Sequence, residues 1–171
     1  MATLDVEDRL RSAAEQKDAR NIAFEITDLR QMPWLAEAVA DRLWRAWWRD
    51  DTLKEHVRAR VQVALQGSAF PQILVAHQDG SFVGTVSVVD SNMAPRRDLT
   101  PWLSALWVDE CFRENGVGNA LINTAISLAK ECGREALHLM ATPQMAAFYE
   151  RRGWQKIPGS CADVIMVKSL V

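Results

Sequence analysis

Arg113, Gly116 and Gly118 stand at the spacing Arg-x-x-Gly-x-Gly, and that spacing suits the binding of a phosphate. The residues before them, Trp102 to Val108, form an apolar run that reads as a strand. A short polar turn then carries Arg113, Glu114, Asn115, Gly116, Val117 and Gly118, and a helical pattern follows without a break. A strand feeding a glycine turn and a helix start brings free backbone N–H groups and the positive end of the helix dipole to one place. Glycines there leave the backbone open to a phosphate that a side chain would hold off. Two other phosphate motifs do not fit. A Walker loop ends in Gly-Lys-Ser/Thr, and none follows here. A dinucleotide fingerprint needs a further glycine, where Leu121 stands, and an acidic residue about 20 positions on at the end of a second strand. Taken alone, the six residues are also compatible with a glycine turn that merely starts a helix.

A second cluster follows in order. After a helix ending near Cys132-Gly133, Ala136-Leu137-His138-Leu139-Met140 reads as a short strand, and Pro143 to Trp154 read as a helix and turn containing Ala146, Phe148, Tyr149, Gly153 and Trp154. The first motif, directly after Leu106-Trp107-Val108, resembles the pyrophosphate loop of the GNAT superfamily of acetyl-CoA-dependent N-acetyltransferases. The second resembles that family's Ala-x-x-(Phe/Leu)-Tyr-x-x-x-Gly-(Phe/Trp) segment. The resemblance covers residues 70 to 171 well and residues 22 to 69 by general pattern.

The resemblance implies acetyl-CoA as acetyl donor, with no metal. The strand end Leu106-Trp107-Val108 would lie along the pantetheine arm, the backbone of Leu106 and Val108 pairing with it and the Val108 amide lying near the thioester carbonyl. The turn Arg113-Glu114 would lead into backbone amides of Asn115, Gly116, Val117, Gly118 and Asn119 that cradle the pyrophosphate. Arg113 would contact a phosphate or fix the loop. Tyr149, the only tyrosine, falls on the family position near the CoA sulfur. A phenol with a pKa of about 10 stays protonated at neutral pH and can donate to a leaving thiolate; otherwise Tyr149 is an aromatic packing its helix on the sheet.

Two departures from the family pattern stand out. Many members carry Asn at the position of Thr142, where it contacts the pantetheine arm, and a hydroxyl is a weaker substitute. The branch that acetylates ribosomal-protein N-termini carries a Glu base where this chain has Leu137, which argues against that branch. Glu110 is the candidate base, acting through a water; Asp109 is equally close, and either could simply cap the turn. His138 should face away from Leu137 and Leu139 and is set aside.

The acceptor pocket of this superfamily is lined by the first two helices and the loop before residue 102. Trp44, Trp47 and Trp48 with Asp50, Asp51 and Glu55 would suit a cationic amine, or the tryptophans simply build the core. Arg96 and Arg97 would favour an acidic acceptor. Thr100-Pro101-Trp102-Leu103 resembles small-molecule members. The expected activity is acetyl transfer to a primary amine of a small molecule by direct attack in a ternary complex. The alternatives are a non-catalytic CoA-binding module and an acetyltransferase of protein amines. A homodimer agrees with the resemblance, although no sequence feature specifies one.

The rest of the chain bounds these readings. With 171 residues, 49% hydrophobic and 25% charged, it has the size and composition of one globular domain. A net charge of −2 gives no basic stripe for nucleic acid. No run is long and apolar enough for a membrane, and no signal-peptide core opens the chain, so a cytoplasmic location is expected. Cys111, Cys132 and Cys161 are scattered, and His56, His77 and His138 lack metal-ligand spacing.

Residues 1–20 form a charged N-terminal extension, loose or weakly helical, ahead of a single domain over 21–171. A first strand is expected at Phe24–Thr27. Pro33 opens a helix with Trp34, Leu35, Val39, Leu43 and Trp47 on one face. A second helix, from about Thr52 to Leu65, carries Leu53, Val57, Val61 and Leu65 and ends at Gly67 and Pro71. Residues 73–76 and 82–89 form a hairpin around Gln78-Asp79-Gly80-Ser81. A strand over 102–109 follows the loop from Asp90 to Pro101, and the last strands fall near 154–158 and 163–169. The order (strand, two helices, three strands, helix, strand, helix, two strands) is that of the GNAT fold. It implies an α/β (α+β) architecture: a mixed, mostly antiparallel sheet of six to seven strands with helices on both faces.

Overall fold

The computed structural model describes residues 23–67, 69–92, 96–158 and 162–171. The expected N-terminal extension over 1–20 and Cys161 lie outside them. In chain order the elements are β1 (Glu25–Asp28), α1 (Ala36–Leu43), α2 (Lys54–Ala64), β2 (Gln72–Gln78), β3 (Ser81–Val89), β4 (Trp102–Val108), α3 (Val117–Glu131), β5 (Ala136–Ala141), α4 (Pro143–Glu150), β6 (Gln155–Ile157) and β7 (Val164–Ser169). Seven strands form one sheet in the order β1-β2-β3-β4-β5-β7-β6, antiparallel everywhere except between β4 and β5. This is the mixed α/β architecture and the element order read from the sequence.

The β2–β3 hairpin turns through Asp79 and Gly80, both left-handed with φ of 49° and 80°. That is the two-residue geometry whose twist matches the flanking strands. Alternate residues of β2 serve opposite faces. Ile73 and Val75 pack with Leu29, Val39, Leu43, Val57 and Val61 under α1 and α2. Leu74 and Ala76 pack with Leu121, Ala125 and Tyr149 under α3 and α4. Burial on both faces explains why β2 and β3 read as nearly continuous apolar runs.

The first helical stretch departs from expectation. A 3-10 turn at Pro33–Leu35 precedes α1, and a π-helical segment at Trp44–Trp48 follows it. Each changes the residues per turn, so the 3.6-residue phase does not carry through. Leu35, Val39 and Leu43 are buried, whereas Trp34 is 64% exposed and Trp47 45% exposed. Similarly Leu53 precedes α2 in extended conformation and is exposed, while Val57 and Val61 are buried.

A charge cluster ties α1 to α2. Lys54 Nζ lies 2.6 Å from Asp41 and 3.1 Å from Glu37, and Arg58 lies 2.6 Å from Glu37. Hydrogen bonds from Arg58, and then from Lys54, hold the Glu37 carboxyl down at about 2. A carboxyl lowered on folding stabilises the fold above its ordinary value, and that contribution fades as pH falls toward the folded value. The melting midpoint is therefore expected to drop between about pH 4.5 and pH 2. Glu37→Gln should flatten part of that drop, and added salt should do the same because the pair is solvent-exposed. Identical pH profiles for the two proteins would contradict this.

Candidate active site

The sheet opens at β4. Ser87 pairs with Ser104 and Thr85 with Trp107, so Val86 alone on β3 faces Ala105 and Leu106 on β4. Ala105 at this bulge has φ of +53°, a conformation uncommon for a residue with a side chain. The bulge turns two successive side chains, Ser104 and Ala105, toward a cavity on the α1–α2 face. Leu106 and Val108 pack on the opposite face, under α3 and α4. The only register pair between β4 and β5 among the described residues is Trp102 with His138. Past it, the backbone edge of Ala105–Val108 facing β5 has no strand partner, and an extended chain could pair with it.

Gly84, opposite Val108, presses on this strand: a Cβ there would sit 2.8 Å from the Trp107 carbonyl oxygen. The sequence reading did not single out Gly84 or the Ala105 bulge. A lone glycine inside a strand pattern is the one signal that pointed there.

Beyond Val108 the chain doubles back. The Asp109 amide donates to Val83 O at 3.0 Å, and a 3-10 turn covers Glu110–Phe112. Arg113 donates from Nε to Val108 O at 3.0 Å, with its guanidinium 4.9 Å from the Trp107 ring centroid. Arg113 thus fixes the turn to the strand end. Glu114 and Gly116 are left-handed, with φ of 66° and 79°. Asn115 donates from Nδ2 to Arg113 O at 2.8 Å, and its Oδ1 is buried without a partner. The first α-helical bond of α3 is Ala120 N to Gly116 O, at 3.0 Å. The amides of Val117, Gly118 and Asn119 therefore have no partner within the helix, and the dipole's positive end lies there. A Cβ on Gly118 would meet only Val108 Cγ2, at 3.9 Å. The Asn119 side chain accepts from Arg152 Nε at 2.7 Å, and Arg152 lies over the Phe148 ring.

Tyr149 is buried, with Phe148 and Trp154 edge-on at 5.0 and 5.9 Å. Burial pushes its phenol pKa up, and Arg152 pulls weakly the other way. Thr142 precedes α4 in extended conformation, exposed, with its hydroxyl not used as a cap. Of the two carboxylates past β4, Asp109 is committed: it accepts from Arg42 Nε at 2.8 Å and from Trp107 Nε1 at 3.1 Å. The Glu110 side chain is 85% exposed, with Arg113 3.8 Å away. His138 is buried at the closed end of the β4–β5 junction, its Nδ1 3.1 Å from Pro101 O, and burial lowers its pKa.

On the other face, a cavity of about 520 Å³ lies between the sheet and α1–α2, bounded by Leu43, Trp48, Arg60, Ser87, Asp90 and Ser104 among others. Of the three clustered tryptophans only Trp48 lines it. Trp44 donates to Thr52 O at 2.8 Å, and Trp47 stands edge-on to Trp107. Asp50, Asp51 and Glu55 are exposed and outside the lining. Arg96 is tied to Asp98 and Pro158 O, and Arg97 also lies outside the lining. Arg60, which had no distinguishing mark in the sequence, does line it.

Among the described residues, no cluster of His, Cys, Asp or Glu is suited to hold a metal, and no helix is long and apolar enough to cross a membrane.

The fold is shared with solved acetyltransferases. An acetyltransferase of the GNAT family from Staphylococcus aureus Mu50 superposes with a TM-score of 0.66 at 15% identity, covering 87% of this chain and all of that one. An aminoglycoside 6'-N-acetyltransferase in complex with coenzyme A gives 0.69 at 16% identity, over 88% of this chain and 98% of its own. The yncA protein of Salmonella typhimurium, solved with its cofactor acetyl-CoA, gives 0.68 at 19% identity, over 88% of this chain and 95% of its own. No curated protein sequence matches the chain. The profile of the acetyltransferase (GNAT) family matches residues 27–154, which span both the opened strand and the glycine turn. On that match the chain belongs to the GNAT acetyltransferase family.

Proposed function

We propose that this chain transfers an acetyl group from acetyl-CoA to a primary amine of a small molecule, by direct attack in a ternary complex. The observation that carries this reading is the continuity of the unpaired β4 edge with the left-handed Gly116 turn at the start of α3. An extended pantetheine arm suits the first, and a pyrophosphate suits the second. The orphaned Asn115 Oδ1 and the unused Thr142 hydroxyl stand at the turn and at the start of α4, with hydrogen-bonding capacity to spare. Acetyl-CoA brings an acetyl group already activated as a thioester, so no covalent enzyme intermediate is required.

The residues then have separable tasks. Leu106 and Val108 hold the arm through their backbone, with Trp107 between them turned to the other face. The Val108 amide polarises the thioester carbonyl. Asn115 to Asn119 bind the pyrophosphate through backbone amides. Arg113 and Glu114 shape the turn, and Arg113 adds positive charge. As the amine nitrogen bonds to the carbonyl carbon and the carbon–sulfur bond breaks, Tyr149 gives its proton to the departing sulfur. The amine's proton passes through water to Glu110, since Asp109 is spent on Arg42 and Trp107.

Because the neutral fraction of an amine can react unaided, Glu110→Gln is expected to lower kcat by less than about tenfold, mostly at the acid side of the pH profile. A loss as large as that of a Tyr149 variant would give Glu110 a larger part. A small-molecule acceptor agrees with a cavity of about 520 Å³, within the usual range for small-molecule sites. It also agrees with the aminoglycoside enzyme among the similar folds.

The deciding experiment is calorimetry with acetyl-CoA, CoA and NAD, followed by thiol release with an amine panel. Acetyl-CoA at about 100 times its dissociation constant should also stabilise the fold by about 2.7 kcal/mol. Micromolar binding of acetyl-CoA without NAD binding supports the reading. Absence of binding would leave Gly116 and Gly118 as a turn and nothing more.

A further inference from the structure

We infer that the amine acceptor carries an anionic group, a carboxylate or a phosphate, and that Arg60 on α2 recognises it. This rests on the transferase reading above. The cavity between α1–α2 and the sheet reaches β4 at Ser104 and Ala105, where the unpaired edge proposed to hold the pantetheine arm begins. Arg60 lines the same cavity from α2, with its guanidinium 5.7 Å from the Trp48 ring centroid. Among the described residues no carboxylate pairs with it.

The one acid in the lining, Asp90, lies 3.8 Å from Arg134, so its charge has a partner. The acids near the tryptophan cluster, Asp50, Asp51 and Glu55, lie outside the cavity, and Glu55 pairs with Arg58 at 3.6 Å. Of the two charges in the lining, Arg60 is therefore the one without an ion-pair partner. The cavity's walls from Leu43, Val57, Val61 and Ile73 are apolar, and Arg60 itself is exposed. A guanidinium oriented by an aromatic face offers a planar fork that matches carboxylate or phosphate oxygens. Ser87, Ser91, Asn92 and Ser104 add neutral hydrogen-bonding groups. An acceptor reaching from the cavity to the unpaired β4 edge would bring its amine toward the pantetheine end and its anion to Arg60.

The test uses matched amines with the full chain. Thiol release from acetyl-CoA is followed with methionine and leucine against their α-carboxamides, and with O-phosphoethanolamine against ethanolamine. The carboxamides have the less basic amine and so the larger neutral fraction, and a preference for the acids cannot come from amine reactivity. The expected result is a kcat/KM at least about tenfold higher for one anionic series, the size of a hydrogen bond to a charged group. The carboxylate and phosphate arms tell which anion is meant. Arg60→Gln should abolish the preference through KM, with the KM for acetyl-CoA unchanged.

Calorimetry of the same amines with the CoA-loaded protein provides a second readout. If nothing is turned over yet the anionic amines alone bind, and do so only with Arg60 present, the transferase reading fails and the anion site stands. Equal rates or equal binding for charged and neutral partners, a preference that survives Arg60→Gln, or no binding of any anionic amine overturns the inference.

Discussion

Tyr149→Phe is expected to lower kcat by well over tenfold while the dissociation constant for CoA stays within about twofold, because the change removes one transferable proton and little else. The ring is held by Phe148 and Trp154 on its edges, contacts that Phe reproduces. Among the described residues no group accepts a hydrogen bond from the Tyr149 hydroxyl, so its removal orphans no partner in the fold. A merely structural tyrosine would therefore leave kcat almost unchanged, and the variant separates the two roles. Burial raises the phenol pKa above its usual value of 10.0, so the group stays protonated across the neutral range.

The pH behaviour follows from that direction. A group whose pKa is raised on folding contributes stability below its unfolded pKa and loses it as pH rises through the folded value. Tyr149 should thus cause no alkaline loss of stability below about pH 10. In Tyr149→Phe the loss above that pH should shrink. An unaltered turnover rate in Tyr149→Phe would remove the residue from the mechanism.

The parts of the molecule that were legible in the sequence are those set by local rules. The hairpin turn around Asp79-Gly80, the apolar runs of β2 and β3, and the glycine turn into α3 each depend on neighbours in the chain. The candidate site was legible as far as its backbone geometry goes: a strand end, a left-handed glycine and a helix start. Side-chain assignments that depend on distant partners were not. Asp109 and Glu110 are adjacent and chemically alike in the sequence. Only the fold brings Arg42 within 2.8 Å of Asp109, leaving Glu110 to solvent. The placement of the clustered tryptophans was out of reach for a related reason. A 3.6-residue period cannot anticipate a π-helical segment, and that segment places Trp47 against Trp107 while Trp48 lines the cavity with Arg60. The Ala105 bulge left no mark, because an alanine in a left-handed conformation is chosen by the strand pairing around it.

The two glycines flanking Val108 should behave oppositely, and the contrast separates fold from binding. Gly84→Ala puts a methyl group 2.8 Å from the Trp107 carbonyl oxygen and 3.3 Å from side-chain atoms of Leu121 and Val108. The oxygen belongs to the backbone of β4 and cannot swing aside, so the strand must shift. An overpacked core site of this kind typically costs about 1–3 kcal/mol. The strand that shifts is the one proposed to hold the pantetheine arm. Gly84→Ala should therefore lower both the melting midpoint and the affinity for acetyl-CoA.

Gly118→Ala adds a methyl in ordinary contact with Val108 Cγ2, at 3.9 Å, inside the first turn of α3. Alanine is the better helix former by up to about 1 kcal/mol, so the unliganded variant should be as stable as the parent or slightly more so. If a phosphate approaches the amides of this turn, the same methyl stands in its way, and acetyl-CoA binding should weaken by about tenfold or more, the equivalent of roughly 1.4 kcal/mol. Thermal denaturation and calorimetry on the two variants read both quantities. Undiminished acetyl-CoA binding in Gly118→Ala would take that residue out of the phosphate turn. A Gly84→Ala protein that keeps its stability would mean that β4 has slack at Trp107, and the bulge at Ala105 is the place where that slack would have to lie.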